Sequence, residues 1–227
     1  MRRITGVLLW LSCGLPAVAR GQDLVDVRSL EPSIAVDMRY AGSENFVGER
    51  IDGYEAPICL LTSAAAEALV EVQSILWDDG FGLLVFDCYR PQRSVDHFVR
   101  WAKDTTDLRT KAEYYPNVRK SRLFEDGYIA SRSGHSRAST VDLTLVRADQ
   151  DGSDGSVEPL DMGTPFDLFD LRSHTDSPDV TSEQRANRLR LRDAMEEGGF
   201  RNYSAEWWHY TLRDEPYPDE YFDRPIR

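Results

Sequence analysis

One stretch constrains the fold more than any other. Ser133-Gly134-His135-Ser136-Arg137-Ala138-Ser139-Thr140 runs directly into Val141-Asp142-Leu143-Thr144-Leu145-Val146. In the second half Val141, Leu143 and Leu145 alternate with Thr140, Asp142 and Thr144. Successive side chains of a strand point to opposite faces, so the pattern predicts a strand with its aliphatics in a core and Asp142 on a more open side. Gly134 and the serines let the preceding loop curl back and carry His135 toward the start of that strand. Much later, Glu206-Trp207-Trp208-His209-Tyr210 supplies a second histidine with a carboxylate three residues before it. Two imidazoles and an aspartate are the raw material of a catalytic zinc site, which has three protein ligands, an open position and a nearby carboxylate. With His135, Asp142 and His209 as ligands, Zn²⁺ keeps a net positive charge and acts as a strong Lewis acid, while Glu206 is placed as general base. The same Trp-rich cluster also reads as an aromatic packing corner, and the two readings are compatible. His97, beside Asp96 in a predicted helix, and His174, in a polar stretch, read as structural.

Around this stretch the chain reads as one α+β domain, a small, largely antiparallel sheet flanked by helices. Ile34 to Tyr40 is expected as a strand and 41–57 as a surface loop. Thr62-Ser63 caps a helix from Ala65 to Asp78 with Leu69, Val72, Ile75 and Leu76 at helical spacing. The apolar run Phe81 to Phe86 predicts a buried strand, and Pro91 opens the next helix. Residues 103–127 look irregular, and the acidic, Gly/Ser-rich segment 149–158 reads as a solvated hairpin loop. A helix capped by Thr181-Ser182 is expected to run through Met195, followed by a hairpin over 200–203 and 207–212. The proline- and aromatic-rich tail from Asp214 is expected to wrap the surface as a strap.

The first residues, Met1-Arg2-Arg3, an apolar run to Ala19 and the small-residue pattern Ala17-Val18-Ala19 (or Ala19-Arg20-Gly21), read as a secretory signal peptide over 1–21, with the domain at 22–227. An exported protein of a bacterial periplasm is the expectation, with no membrane span after the leader. The formal charge of −12 becomes more negative once Arg2, Arg3 and Arg20 leave with the leader. That argues against nucleic acid and anionic membrane as partners and favours a small-molecule or peptide substrate. Cys59 and Cys88 remain after processing. They are either paired or two buried thiols, and spacing does not decide between these.

Arg90 sits between a buried strand and a helix-starting proline. A buried guanidinium needs a partner, and Asp87 is the obvious one; the functional alternative is stabilisation of an oxyanion. Taken together, Ser133-x-His135-x6-Asp142, Glu206-x-x-His209 and Asp87-x-Tyr89-Arg90-Pro91 resemble the zinc D-alanyl-D-alanine dipeptidases of the vancomycin-resistance (VanX) type. Asp37-x-x-Tyr40, Tyr114-Tyr115-Pro116-Asn117, Met162-Gly163-x-x-Phe166-Asp167 and Arg172-Ser173-His174 extend the resemblance over nearly the whole chain after the leader. It implies His135, Asp142 and His209 as zinc ligands, Glu206 as base and Arg90 as transition-state stabiliser. It further implies Tyr40 and Asp167 at the substrate's amino end and Ser133 lining the pocket. The implied reaction is hydrolysis of D-Ala-D-Ala. A carboxypeptidase acting on peptidoglycan stem peptides and a non-catalytic zinc-containing wall-binding module are the rival expectations. Gly134 and Ala138 depart from the family pattern, which carries serine and glycine there.

Overall fold

A computed structural model describes residues 24–148 and 157–227; the expected leader and most of the 149–158 loop lie outside the described residues. In chain order the elements are β1 (Val25–Asp26), α1 (Val27–Leu30), β2 (Ala35–Val36), β3 (Leu60–Leu61), α2 (Ser63–Asp78), β4 (Phe81–Asp87), α3 (Gln92–Lys103), α4 (Lys111–Tyr114), β5 (Thr140–Arg147), α5 (Ser182–Glu197), β6 (Phe200–Asn202) and β7 (His209–Leu212). Five strands form one sheet in the order β2-β4-β5-β7-β6. Only β2 and β4 run parallel; the other pairings are antiparallel. β1 and β3 make a separate antiparallel pair. This is the expected α+β architecture, with helices packed on a small, largely antiparallel sheet.

The two longest helices, α2 and α5, begin where capping side chains satisfy their free N–H groups. Thr62 accepts from the amide of Ala65, and Thr181 and Gln184 form a reciprocal capping box; each such cap contributes about 1 kcal/mol. α2 buries Ala65, Leu69, Val72 and Leu76 on one stripe and packs on β4 and α5. At the end of α5 the backbone of Gly198 lies so close to Val72 Cγ2 that a Cβ has no room.

β5 runs through the middle of the sheet, and its aliphatics Val141, Leu143 and Leu145 are fully buried as expected. The other face is not open: Asp142 is only 2% exposed, because the turn carrying His135 and the Arg90 side chain cover it. The expected strand at 34–40 is confined to Ala35–Val36. After one further ladder bond, from Asp37 N to Val85 O, residues Arg39–Ala41 turn in a short 3₁₀ segment that buries the Tyr40 ring. The hairpin exists, but Trp207 and Trp208 belong to its connection rather than to its second strand. Residues 103–127 contain α4 and a 3₁₀ turn at Lys120–Arg122, and Asn117 donates to Asp170 across 2.9 Å. The tail is the expected strap. Phe222 N donates to Ser136 O, Ile226 N to Gly53 O, and Arg93 pairs with Asp223.

Register places the chemistry. Val85 pairs with Leu143, yet Asp87, not Phe86, pairs with Asp142, because β4 carries an irregularity between Val85 and Asp87. A strict ladder would set Phe86 opposite Asp142 and turn Asp87 to the far face. One extra residue re-aims it. On the other side Asp142 pairs with His209. Asp87, Asp142 and His209 therefore lie in a row across three adjacent strands.

Candidate active site

His135 enters the row from the 3₁₀ turn Gly134–Arg137, whose first amide bonds come from Ser133: its hydroxyl accepts from His135 N. The turn ends at Ala138 in the left-handed region at φ 58°, where the family pattern has glycine. The other departure has a steric reason, since a Cβ on Gly134 would stand 2.9 Å from Thr140 Oγ1.

The three expected ligands converge. His135 Nε2 lies 3.2 Å from Asp142 Oδ2 and 3.3 Å from His209 Nδ1, and His209 Nδ1 lies 3.0 Å from Asp142 Oδ1. One ligand atom from each residue fits within 4.8 Å of the others. His135 Nδ1 donates to the Cys88 carbonyl at 2.7 Å, which leaves the Nε2 lone pair facing the group. Despite its nearness to His209, Asp142 Oδ1 is buried without a properly directed hydrogen bond. A buried carboxylate oxygen without a donor, facing two imidazole nitrogens, suits a divalent cation. Burial opposes ionisation of Asp142, but without a metal the flanking imidazoles, when protonated, outweigh it and hold the carboxyl well below the usual range.

Glu206 and Arg90 stand on either side. Glu206 Oε2 is 3.5 Å from His209 Nδ1, and burial is the main reason its carboxyl is raised. Arg90 is locked to Asp87 through Nε at 2.9 Å and Nη2 at 2.8 Å, as expected, and the same Nη2 reaches 3.5 Å from Asp142 Oδ2. Its guanidinium carbon lies 5.0 Å from the Tyr40 ring centre and 5.1 Å from that of Phe98. Asp87 itself is completed by Tyr54, whose hydroxyl donates to Oδ1 at 2.6 Å. Beyond Arg90, Tyr40 donates to Asp167 Oδ2 at 2.8 Å. Asp167 is 5% exposed at φ 63°, and burial, reinforced by the charge on Asp142, raises its carboxyl well above the ordinary value. Ser133 Oγ lies 3.5 Å from Arg90 Nη1.

Tyr40, Arg90, Ser133, Asp142, Asp167, Glu206 and His209 all line one cavity of about 280 Å³, with Trp208 in its wall and His135 beneath. Ligand cavities run from roughly 300 to 1,000 Å³, so this one suits a small ligand. His97 and His174 stay outside it, as expected.

Two contributors escaped the sequence reading. Tyr54 carried no signal. Arg188 did, since it occupies the buried stripe of α5 with Leu191 and Met195. It is fully buried and donates to the carbonyls of Met162 (2.7 Å), Arg172 (2.8 Å) and His174 (2.7 Å). Burial lowers its pKa to about 10. The loop it ties down is the one that carries Asp167.

An aspartate and an imidazole on adjacent strands, a second imidazole from the turn before them, and a glutamate and an arginine beside them are the arrangement of a metallopeptidase. Residues 20–227 match the family described as D-ala-D-ala dipeptidase, and the chain belongs to that family. It is 47% identical over 204 residues to a D-alanyl-D-alanine dipeptidase of Streptomyces coelicolor, covering 90% of this chain and 98% of the relative. It is 44% identical over 191 residues to one from Enterococcus faecium (84% and 92%) and 46% identical over 187 residues to one from Enterococcus faecalis (82% and 90%). Among the described residues no helix is long and apolar enough to cross a membrane.

Proposed function

We propose that this enzyme hydrolyses D-Ala-D-Ala as a zinc dipeptidase, with His135, Asp142 and His209 holding the metal. The observation that carries the reading is one small cavity lined by Asp142 and His209, with His135 directly beneath, the Glu206–Arg90 flank and the buried Tyr40–Asp167 pair. Bound there, zinc would supply a Lewis acid and a water acidified toward neutrality. Glu206 accepts the water's proton and passes it to the leaving amine. Arg90, held by Asp87, presents its guanidinium to the developing oxyanion. The Asp167 carboxylate meets the free ammonium group, and Tyr40 fixes the orientation of that carboxylate. An acylated amine would bring no charge to Asp167 and would need room beyond it, so free dipeptides are preferred over stem peptides.

One observation favours the carboxypeptidase reading. A larger cavity of about 750 Å³ adjoins the first and shares Gly127, Tyr128, Tyr203 and Glu206 with it. The discriminating assay sets D-Ala-D-Ala against an N-acylated D-Ala-D-Ala peptide, with zinc-loaded protein and Glu206→Ala as control. Cleavage of the free dipeptide alone, lost in the variant, supports the dipeptidase; cleavage of the acylated peptide moves the protein to the carboxypeptidase reading. Export through the leader at 1–21 belongs to the same proposal, and the Cys59–Cys88 disulfide supports it, because such bonds persist in oxidising compartments. Protease digestion of intact cells that spares the protein, followed by its release on outer-membrane permeabilisation, would place it in the periplasm; retention with cytoplasmic markers would refute that.

A further inference from the structure

We propose that the Cys59–Cys88 disulfide positions His135, so that the affinity of the site for zinc depends on that bond being intact. The proposal rests on the reading of His135 as a metal ligand.

The link is short. His135 is held in its orientation by one strong contact, Nδ1 to the Cys88 carbonyl at 2.7 Å, with Asp87 Oδ2 at 3.4 Å. That carbonyl sets both the ring plane and the tautomer, because a proton kept on Nδ1 leaves Nε2 as a ligand. It can do so only if the backbone at 88 is fixed, and β4 has already ended at Asp87. What fixes Cys88 is the segment 59–62. The disulfide joins Cys88 to Cys59 with a Cα–Cα separation of 5.2 Å, and the next amide, Tyr89 N, donates to Leu60 O at 2.9 Å. The same segment grips the far end of the histidine turn. Thr62 N donates to Ala138 O at 2.8 Å, and Thr62 Oγ1 lies 3.0 Å from Ser139 Oγ. Residues 59–62 are therefore a brace touching the chain on both sides of the imidazole, covalently on one side.

Both cysteines are fully buried, and they are 29 residues apart. A crosslink of that span stabilises any fold by about 3–4 kcal/mol through the unfolded chain, wherever it sits. Positioning is a separate effect, and it reads out on the metal. Loss of a group that orients a metal-bound histidine weakens binding about 10- to 100-fold. The bond would thus make metal competence conditional on an oxidising compartment.

The test measures zinc affinity by competition with a chromophoric chelator, for wild type, Cys59→Ser/Cys88→Ser and Leu191→Ala. Leu191 is buried in α5, lies outside segment 59–62 and is not among the residues lining the cavity, so its variant loses stability without losing the brace. The expected result is affinity weakened about 10- to 100-fold in the double serine variant alone. Equal affinity in wild type and the double variant, or an equal loss in Leu191→Ala, overturns the proposal. Should the double variant not fold, wild type decides the matter in glutathione buffers. By reciprocity, saturating zinc must make the disulfide harder to reduce, moving its midpoint about 30–60 mV more negative for that fold-change. His135→Ala must abolish the shift. No shift, or one toward easier reduction, refutes the brace. Zinc bound equally by wild type and His135→Ala refutes instead the ligand reading beneath it.

Discussion

Asp167→Asn separates what this residue does for the fold from what it does for substrate. Its carboxylate is buried, accepts one hydrogen bond from Tyr40, and sits in the left-handed region that Asp and Asn tolerate equally well. Asparagine keeps the shape, the backbone conformation and an acceptor for Tyr40, and removes only the charge. The folded-state pKa of Asp167 is raised above its unfolded value, so between those two values the folded protein binds more protons than the unfolded chain. Stability therefore falls as pH rises through that window, and the loss is fully present above the folded pKa. Asparagine has no such window. A buried carboxylate with a single donor carries a penalty on the order of 1–3 kcal/mol, equivalent to about 3–9 °C in Tm for a domain of this size. Metal-free Asp167→Asn should melt higher than wild type at neutral pH, with the gap closing toward pH 4, where wild type is protonated as well. The same variant should lose about 2–4 kcal/mol of transition-state binding for D-Ala-D-Ala, a fall of about 30- to 1,000-fold in kcat/KM, because the ammonium group loses its counter-charge. Calorimetry across pH and steady-state kinetics check the two halves. A variant that melts lower at neutral pH, yet cleaves the dipeptide as wild type does, would refute both the buried charge and its role.

Glu206→Gln should lower kcat about 10²- to 10⁴-fold while zinc affinity, measured by chelator competition, stays at the wild-type level. Arg188→Met leaves the carbonyls of Met162, Arg172 and His174 without donors; a loss of at least about 3 kcal/mol by urea unfolding is expected, with KM for the dipeptide rising because the freed loop carries Asp167. Gly134→Ser forces a Cβ against Thr140 Oγ1 and should lose about 1–3 kcal/mol, a loss that Thr140→Ala in the same chain reduces.

The ligand triad was legible because its determinants are local. Period-two alternation fixed β5 and the side of Asp142, and the Gly/Ser turn fixed the approach of His135. The helix caps were legible for the same reason. What the sequence hid lies in long-range fit. The extra residue between Val85 and Asp87 has no glycine or proline beside it to announce it (Gly82, the glycine of that strand, lies before the irregularity), yet it alone puts Asp87 beside Asp142. The cover over Asp142 comes from residues as distant as Arg90 and His135, so a strand pattern read in isolation left that face open. The pairing of Cys59 with Cys88 was undecidable for the same reason, since it depends on β3 reaching the end of β4.

That hidden register makes the centre of the fold suited to a cation. Carboxylates set directly opposite one another on adjacent strands repel, and here Asp87 and Asp142 do so while Glu206 and Asp167 close the same cavity. The guanidinium that answers them is Arg90, and Asp87 already takes both its Nε and its Nη2. Asp142 is left with one long contact to Arg90 and two imidazoles whose lone pairs also face inward. A sheet would not assemble such a row for stability, because an apolar set of the same volume packs better without the desolvation penalty. The row is instead an arrangement in which a bound divalent cation would relieve repulsion that the fold has already built in. Zinc should accordingly raise Tm far more in wild type than in Asp142→Asn, by an amount that grows with free zinc as mass action requires. Equal stabilisation of the two proteins would show that the cation binds elsewhere.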